Sequence, residues 1–321
     1  MKDLYAGVDL GGTKILSSIF SARGRAHGRD KRPTPYRGTA AELVGAIGDS
    51  IDAALLERNL SPHRLAAIGV GSPGPIDSER GTVLRTPHLR ARSVPLASRL
   101  AERFGCPVVL DNDVHMALRG EWLRGAGKGY QNLVGLWIGT GVGGGVVCEG
   151  RLVRGANRNA GELGHMILDA RRAREGSDRG SLEWEASKSG MTRRLRKSPR
   201  TSSHASLFKG GRLHSGALAK AYRRNDPLVV EAVEHSARWV GLAVANLWNA
   251  LAPEIFILGG GVVESIGISY ARLVRAAAIA HAYSIELARP RVVASRLGDE
   301  AGVVGAFLAA REAHPPRGRT R

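Results

Sequence analysis

The apolar residues of this chain come in two rhythms that alternate along its length. Short apolar runs at residues 5–10, 15–20, 65–70, 108–110, 136–138, 146–148, 254–258 and 291–295 have the length of buried strands. Between them lie segments with a period of about 3.6. The clearest spans 40–60, where Leu43, Ile47, Ile51, Ala54 and Leu55 mark one helical face. Residues 94–104, 116–124, 217–224, 267–281 and 302–312 also read as helices. The longest helix is predicted over 227–252, opening on Pro227 and stopped by Pro253. Residues 21–39 and 171–216 are basic and carry neither rhythm, so turns, loop and irregular chain are expected there. Strands alternating with helices predict α/β layers around a largely buried sheet.

Two strand pairs share a plan. Gly11-Gly12-Thr13-Lys14 separates the runs at 5–10 and 15–20, and Gly139-Thr140-Gly141 with further glycines separates those at 136–138 and 146–148. Each reads as a β-hairpin whose glycines let a ligand approach backbone N–H groups, beside a Thr hydroxyl suited to phosphate oxygens. Two such hairpins suggest an internally duplicated architecture. Asp9 ends the first strand, placed either to hold a hydrated Mg2+ or to cap the turn. A third glycine turn, Gly259-Gly260-Gly261, follows a strand and offers backbone to a nucleotide's base or ribose. The strand at 108–110 runs into Asp111-Asn112-Asp113, at the strand end where ligands of such sheets sit. Asp113 can take a proton from a hydroxyl and Asn112 can fix that hydroxyl; the alternative is that one of the three caps the following helix. Glu162 and His165 stand three apart, so one helical turn presents both on one side.

With 321 residues and 43% hydrophobic content, the chain can bury a sizeable core, and its length suggests two domains. No apolar run approaches the ~20 residues of a bilayer span, and the first residues lack the apolar centre of a secretory signal. A cytoplasmic location and no membrane partner are therefore expected. Cys106 and Cys148 lie beside or within apolar runs and predict buried, inert thiols. The net charge of +18 comes with no helix-turn-helix or RNA-binding signature, so no specific nucleic-acid partner is expected. The charge reads as a solvated surface with compositional bias; a second reading is that it concentrates anionic nucleotides.

Taken in order, DLGGTK (9–14), GSPGPID (71–77), LDND (110–113), IGTGVGGG (138–145), AGELGH (160–165) and ILGGGVV (257–263) resemble the motifs of the ROK family (repressors, open reading frames and sugar kinases). The resemblance covers nearly all of residues 4–312. It implies an α/β, two-domain actin-like ATPase (ribonuclease H-like) fold, with duplicated β-hairpin phosphate motifs and a cleft between domains. A smaller N-terminal domain over 1–120 would take back the C-terminal helix 300–313. A larger domain would span 121–299, and a disordered basic tail 314–321. ATP and Mg2+ are implied, with transfer of the γ-phosphoryl group to the 6-hydroxyl of glucose or a closely related hexose. Asp113 matches the family's catalytic base. Asn112, Glu162 and His165 match residues that hold sugar hydroxyls, and Glu183 and Gly74 join that set. Gly11, Gly12, Thr13 and Lys14, and Gly139, Thr140 and Gly141, match the two phosphate hairpins. Gly260 and Gly261 match the adenosine motif, and Asp9 would hold Mg2+ through water. A homodimer or homotetramer is suggested.

The chain also departs from the pattern. Family members commonly bind zinc through a histidine at the position of His165 and three cysteines in CxCGxxGCxE. The matching segment, 174–183, has Arg174, Gly176 and Ser181 in place of the cysteines while keeping Gly180 and Glu183. No tetrahedral zinc site can be built from it, so no structural zinc is expected and packing must hold His165 and Glu183. His115 stands where the family usually has Asn. Among rivals, a repressor needs a DNA-binding region before the first phosphate motif, and about eight residues precede Asp9. Another acceptor (fructose, mannose or an N-acetylated amino sugar) stays open. A non-catalytic sugar-binding regulator would not require both Asp9 and Asp113.

Overall fold

A computed structural model describes residues 2–35, 38–85, 92–197, 206–209 and 212–316. The chain divides into two compact units: Met1–Gly125 with Arg154–Ala160 and Asp299–Arg321, and Ala126–Val153 with Gly161–Gly298.

In unit 1, β1 (Leu4–Leu10) turns into β2 (Lys14–Ser21), which pairs with β3 (Ala26–Pro33). Then come α1 (Ala40–Leu56) and β4 (Leu65–Ser72). A small antiparallel sheet follows, of β5 (Ile76–Asp77), β6 (Thr82–Arg85) and β7 (Arg92–Val94). The unit continues through α2 (Leu96–Phe104), β8 (Val108–Asn112) and α3 (Asp113–Arg124). The main sheet has the order β3-β2-β1-β4-β8, with β1, β4 and β8 parallel. Helix α1 begins on a capping box, Thr39 with Glu42, and buries Leu43, Ile47, Ile51 and Leu55, ending short of the expected residue 60. Strand β3 lies where loop was expected. It is the sheet's edge, half of its residues are charged and only Gly28 is buried, so no apolar alternation marks it.

In unit 2, β9 (Leu133–Ile138) and β10 (Val142–Cys148) form the second hairpin, with β11 (Arg151–Leu152) added to β10. Helices α4 (Leu182–Ala186) and α5 (Lys188–Lys197) follow, inside the stretch expected to be irregular. Their buried Leu182, Ala186, Met191 and Leu195 do recur at helical spacing, but dense arginine and lysine hide the pattern. A two-stranded sheet of β12 (Phe208–Lys209) and β13 (Arg212–Leu213) precedes α6 (Ser215–Arg223). The long α7 (Pro227–Leu251) is capped by the Asp226 side chain and ends where Ala252 turns left-handed at φ 43°. After it come β14 (Ile255–Gly259), α8 (Gly261–Ile266), α9 (Ile268–Ile279) and β15 (Val292–Ala294). This sheet has the order β11-β10-β9-β14-β15, and its core packs Leu136 and Phe256 with Val233, Val240 and Val244 of α7.

The chain then returns to unit 1 as α10 (Ala301–Ala313), which packs on β1, β4 and α3. The approach is backbone to backbone: a Cβ on Gly7 or Gly69 would fall 2.1 or 1.9 Å from the carbonyl oxygens of Val303 and Ala306. The expected tail begins at 314, yet the Tyr5 hydroxyl donates to the His314 carbonyl at 2.9 Å; residues 317–321 lie outside the described residues. Cys106 is buried and its thiol is pushed up to about 11 by that burial, but Cys148, at the end of β10, is exposed. Among the described residues no helix is long and apolar enough to cross a membrane.

Candidate active site

Unit 1 gathers its candidates at the carboxyl ends of parallel strands. Asp9 on β1 is level with Gly71 on β4, and Gly71 with Asp111 on β8, so the glycine turn, the segment leading to Gly74 and the Asn112–Asp113 pair leave one edge of the sheet. The turn after β1 closes by a Gly11 N–H donating to the Lys14 carbonyl at 2.9 Å. Thr34 fastens it from outside, its hydroxyl donating to the Gly11 carbonyl at 2.7 Å and its N–H to the Thr13 carbonyl at 3.2 Å. Thr13 is exposed, and its hydroxyl has no partner among the described residues. Lys14 is engaged: its ammonium pairs with Asp299 at 2.5 Å, and Lys31 reaches the same carboxylate at 3.3 Å. Burial works against the Asp299 carboxylate, but the two lysines outweigh it and lower its pKa.

Asp113 is the first residue of α3, half-buried, where negative charge suits the helix N-terminus. Of the three polar residues here, the cap is Asn112. Its Oδ1 accepts the N–H groups of Val114 at 2.9 Å and His115 at 3.2 Å, so its amide nitrogen is what it can offer a sugar. Asp111 is buried, 3% exposed, and holds three groups: the Asn112 N–H at 2.8 Å, Arg154 at 2.7 Å and His115 Nδ1 at 3.4 Å. Burial opposes its ionisation, but His115 and Arg154 outweigh that and its pKa is lowered.

A magnesium ion carried by nucleotide phosphates needs only one or two protein carboxylates. Asp9 fits that requirement: it ends the strand beside the turn, with its carboxylate against the first turn of α10 at Gly302. Among the described residues no group of three or more His, Cys, Asp or Glu side chains could hold a metal by itself.

Unit 2 repeats the hairpin arrangement. The Gly139 N–H donates to the Gly141 carbonyl at 2.9 Å, while the Gly139 and Thr140 carbonyls accept from the Lys188 N–H at 2.9 Å and the Ser189 hydroxyl at 2.7 Å. As at Thr13, Thr140 is exposed and its hydroxyl has no partner among the described residues. Strand β14 runs parallel to β9 with Gly259 beside Trp137, so Gly260 and Gly261 emerge at the same edge as Gly139. Gly260 has φ +87°, and a side chain there would come within 2.7 Å of the Ile138 carbonyl oxygen. Only glycine suits it, which leaves bare backbone for a ligand.

Glu162 and His165 bracket a single 3-10 turn, Leu163–His165, closed by the His165 N–H donating to the Glu162 carbonyl at 3.0 Å. Positions three apart eclipse in such a turn, so both exposed side chains share a side. The turn is clamped to β10: Leu163 packs on Gly144, and a Cβ on Gly164 would lie 1.9 Å from the Val142 carbonyl oxygen. On its other side the Val142 N–H donates to Glu183 Oε2 at 2.7 Å, leaving Oε1 as the oxygen that Glu183 can present to a sugar. One residue, Val142, thus ties the hairpin to both expected sugar-binding elements.

The segment without cysteines closes by ordinary hydrogen bonds. Ile167 bridges to Ser181, the Leu168 and Asp169 N–H groups donate to the Gly180 carbonyl at 2.8 and 3.0 Å, and the Ser181 hydroxyl caps α4 by accepting the Trp184 N–H at 3.1 Å. Arg172 and His235 each reach the buried Glu185 at 3.0 Å, fixing the segment to α7. Thr34, Arg154, Ser189 and Glu185 were not among the residues singled out from sequence, and Asp111 was noted only as a possible helix cap. Each acts on a partner more than ten residues away, which no local motif encodes.

A family model described as the ROK family matches residues 5–313. The chain belongs to the ROK family. It is similar to the glucokinase of Streptomyces coelicolor, 33% identical over 330 aligned positions that span 97% of this chain and 99% of that one. The glucokinase of Halalkalibacterium halodurans is 32% identical over 307 positions, 94% of this chain and 93% of its own. Among solved structures, the ROK family glucokinase from Streptomyces griseus, in complex with glucose and AMPPNP, matches with a TM-score of 0.83 at 31% identity, covering 96% of this chain and 99% of that one. As a ROK protein the chain has the two-domain actin-like ATPase fold that its motifs implied.

Proposed function

We propose that this ROK protein is an ATP-dependent hexose kinase that transfers the γ-phosphoryl group of ATP to the 6-hydroxyl of glucose or a closely related hexose. One observation carries the reading: a half-buried Asp113 opens α3 at the same sheet edge as a braced glycine–threonine turn whose exposed hydroxyl has no partner among the described residues. A turn of that kind holds phosphate oxygens, and in this reading the Asp113 carboxylate takes the hydroxyl offered to them.

In this reading the sugar is held by the Asn112 amide nitrogen, Glu162, His165, Glu183 Oε1 and the backbone at Gly74. Thr13 and Thr140, with their glycines, take the phosphates, and bare backbone at Gly260 and Gly261 takes the adenosine. Asp113 accepts the proton of the 6-hydroxyl as its oxygen bonds to the γ-phosphorus and the bond from phosphorus to the β–γ bridging oxygen breaks, releasing ADP. Phosphoryl transfer has a loose transition state, so alignment and charge compensation carry most of the rate, and a placed base adds ~10²–10⁴-fold. Mg2+ held by Asp9 through water would neutralise charge on the phosphates. A site that satisfies several hydroxyls rejects a sugar lacking one of them, because a polar group is then left unpaired.

Coupled ADP release measured over glucose, mannose, fructose and N-acetylated amino sugars tests this. Glucose should give the highest kcat/KM. ADP release with no hexose in the panel would overturn the reading.

A further inference from the structure

Residues 154–160 form a compact loop docked on unit 1. The loop closes on itself, the Ala160 N–H donating to the Arg154 carbonyl at 3.0 Å. Two contacts fix its middle: the Ile76 N–H donates to Asn159 Oδ1 at 3.3 Å, and Arg158 pairs with Glu79 at 2.6 Å. Its two ends are fastened to the short β8–α3 junction that carries Asp113. Arg154 pairs with Asp111 Oδ2 at 2.7 Å, and His115 Nε2 donates to the Ala160 carbonyl at 2.8 Å. Asp111 and His115 flank Asp113 by two residues on either side and meet each other at 3.4 Å. His115 is 3% exposed, so nothing but protein serves its ring. Its Nε2 faces a carbonyl, which only accepts, so that nitrogen carries the donated proton, while Nδ1 lies 3.4 Å from the Asp111 carboxylate. Beyond Ala160, Gly161 alone separates this loop from Glu162.

We propose that His115, together with Asp111 and Arg154, is a positioning residue for the sugar: it fastens the 154–160 loop to the element bearing Asp113 and thereby fixes where the chain enters the Glu162–His165 turn. The proposal rests on the hexose-kinase reading of Asp113 and Glu162. His115 touches no substrate in it. Its effect passes through the Ala160 carbonyl and the two following residues, so it should act on sugar binding and leave the nucleotide alone.

The test is glucose affinity by calorimetry, which needs no turnover, alongside kcat and both KM values. His115→Leu removes the hydrogen bond to the Ala160 carbonyl and the contact with Asp111. It should weaken glucose binding, and raise its KM, about tenfold, the scale of one buried hydrogen bond lost, with ATP KM and kcat within about threefold of wild type. The His115→Gln amide reaches toward the place of Nε2 and should restore affinity to within about threefold, whereas His115→Asn, which copies only the Nδ1 side, should not. Unchanged glucose affinity in His115→Leu, absence of rescue by Gln, or an equal rise in ATP KM would each overturn the proposal. Should His115→Leu fail to fold, Arg154→Met frees the loop's other end and should give the same split; unchanged glucose affinity there overturns it too. If wild type binds a hexose of the panel but releases no ADP, the kinase reading fails, and the positioning role is judged on affinity for that hexose.

Discussion

Replacing Gly164 with alanine would put a methyl carbon 1.9 Å from the Val142 carbonyl oxygen and 2.9 Å from its carbon. The obstacle is backbone of β10, itself paired with β9, so it cannot swing aside as a side chain would. Restoring ordinary contact at 3.4 Å requires the Glu162–His165 turn and the strand to part by roughly 1.5 Å. Overpacking of this kind costs ~1–3 kcal/mol, and in a unit of this size each kcal/mol lowers Tm by about 2–4 °C. The functional loss should be larger in proportion, since a misplacement of about 1 Å in a positioned site costs ~10²-fold. Val142 also donates to Glu183, so the shift reaches both sugar-holding elements. Steady-state kinetics of Gly164→Ala, with a melt to confirm folding, should show glucose kcat/KM down by about that factor and Tm down by several degrees. A folded variant with glucose kcat/KM within about twofold of wild type would refute the reasoning.

Two other outcomes follow from the same geometry. Burial depresses the pKa of His235 below its ordinary 6.5, with the Glu185 hydrogen bond opposing and Arg194 adding. The unfolded chain therefore takes up a proton more readily than the folded one, and stability present above pH 6.5 is lost as pH falls from there through the folded value. Denaturant melts across that window should show the loss, and His235→Gln should flatten it; an unaltered slope in the variant would assign the dependence elsewhere. Elemental analysis of the purified protein should find no stoichiometric zinc, and a chelator should leave Tm unchanged, because Arg174, Gly176 and Ser181 stand where the family's cysteines would bind metal and the Ser181 hydroxyl caps a helix instead. One tightly held zinc per chain would contradict this.

What sequence revealed divides along physical lines. The two hairpins, α1, α7 and the strand–glycine turn at Gly259–Gly261 were legible because their apolar spacing and turn residues are local. Strand β3 was not, since an edge strand with charged side chains on a solvated face has no apolar period. Helices α4 and α5 were masked by arginines whose stems cover apolar surface while their charge dominates composition: Arg193 lies over the Trp184 ring at 3.4 Å. Cys148 sits in an apolar run but at the strand's last position, where it emerges. The motif residues themselves stood out, but what holds them did not. Arg154 and Asp111 are 43 positions apart, and Glu185 and His235 are 50 apart, so only the fold brings them together. His115 was visible as a departure from the family pattern, and the structure gives it partners.

The most direct test is Asp113→Asn, an isosteric change that makes the opening residue of α3 neutral and removes the proton acceptor. With glucose and ATP saturating, ADP release should fall by ~10²-fold or more while calorimetry finds glucose affinity within about twofold of wild type. Turnover close to the wild-type rate in that variant would show that Asp113 is not the base and that the hydroxyl is activated by another group.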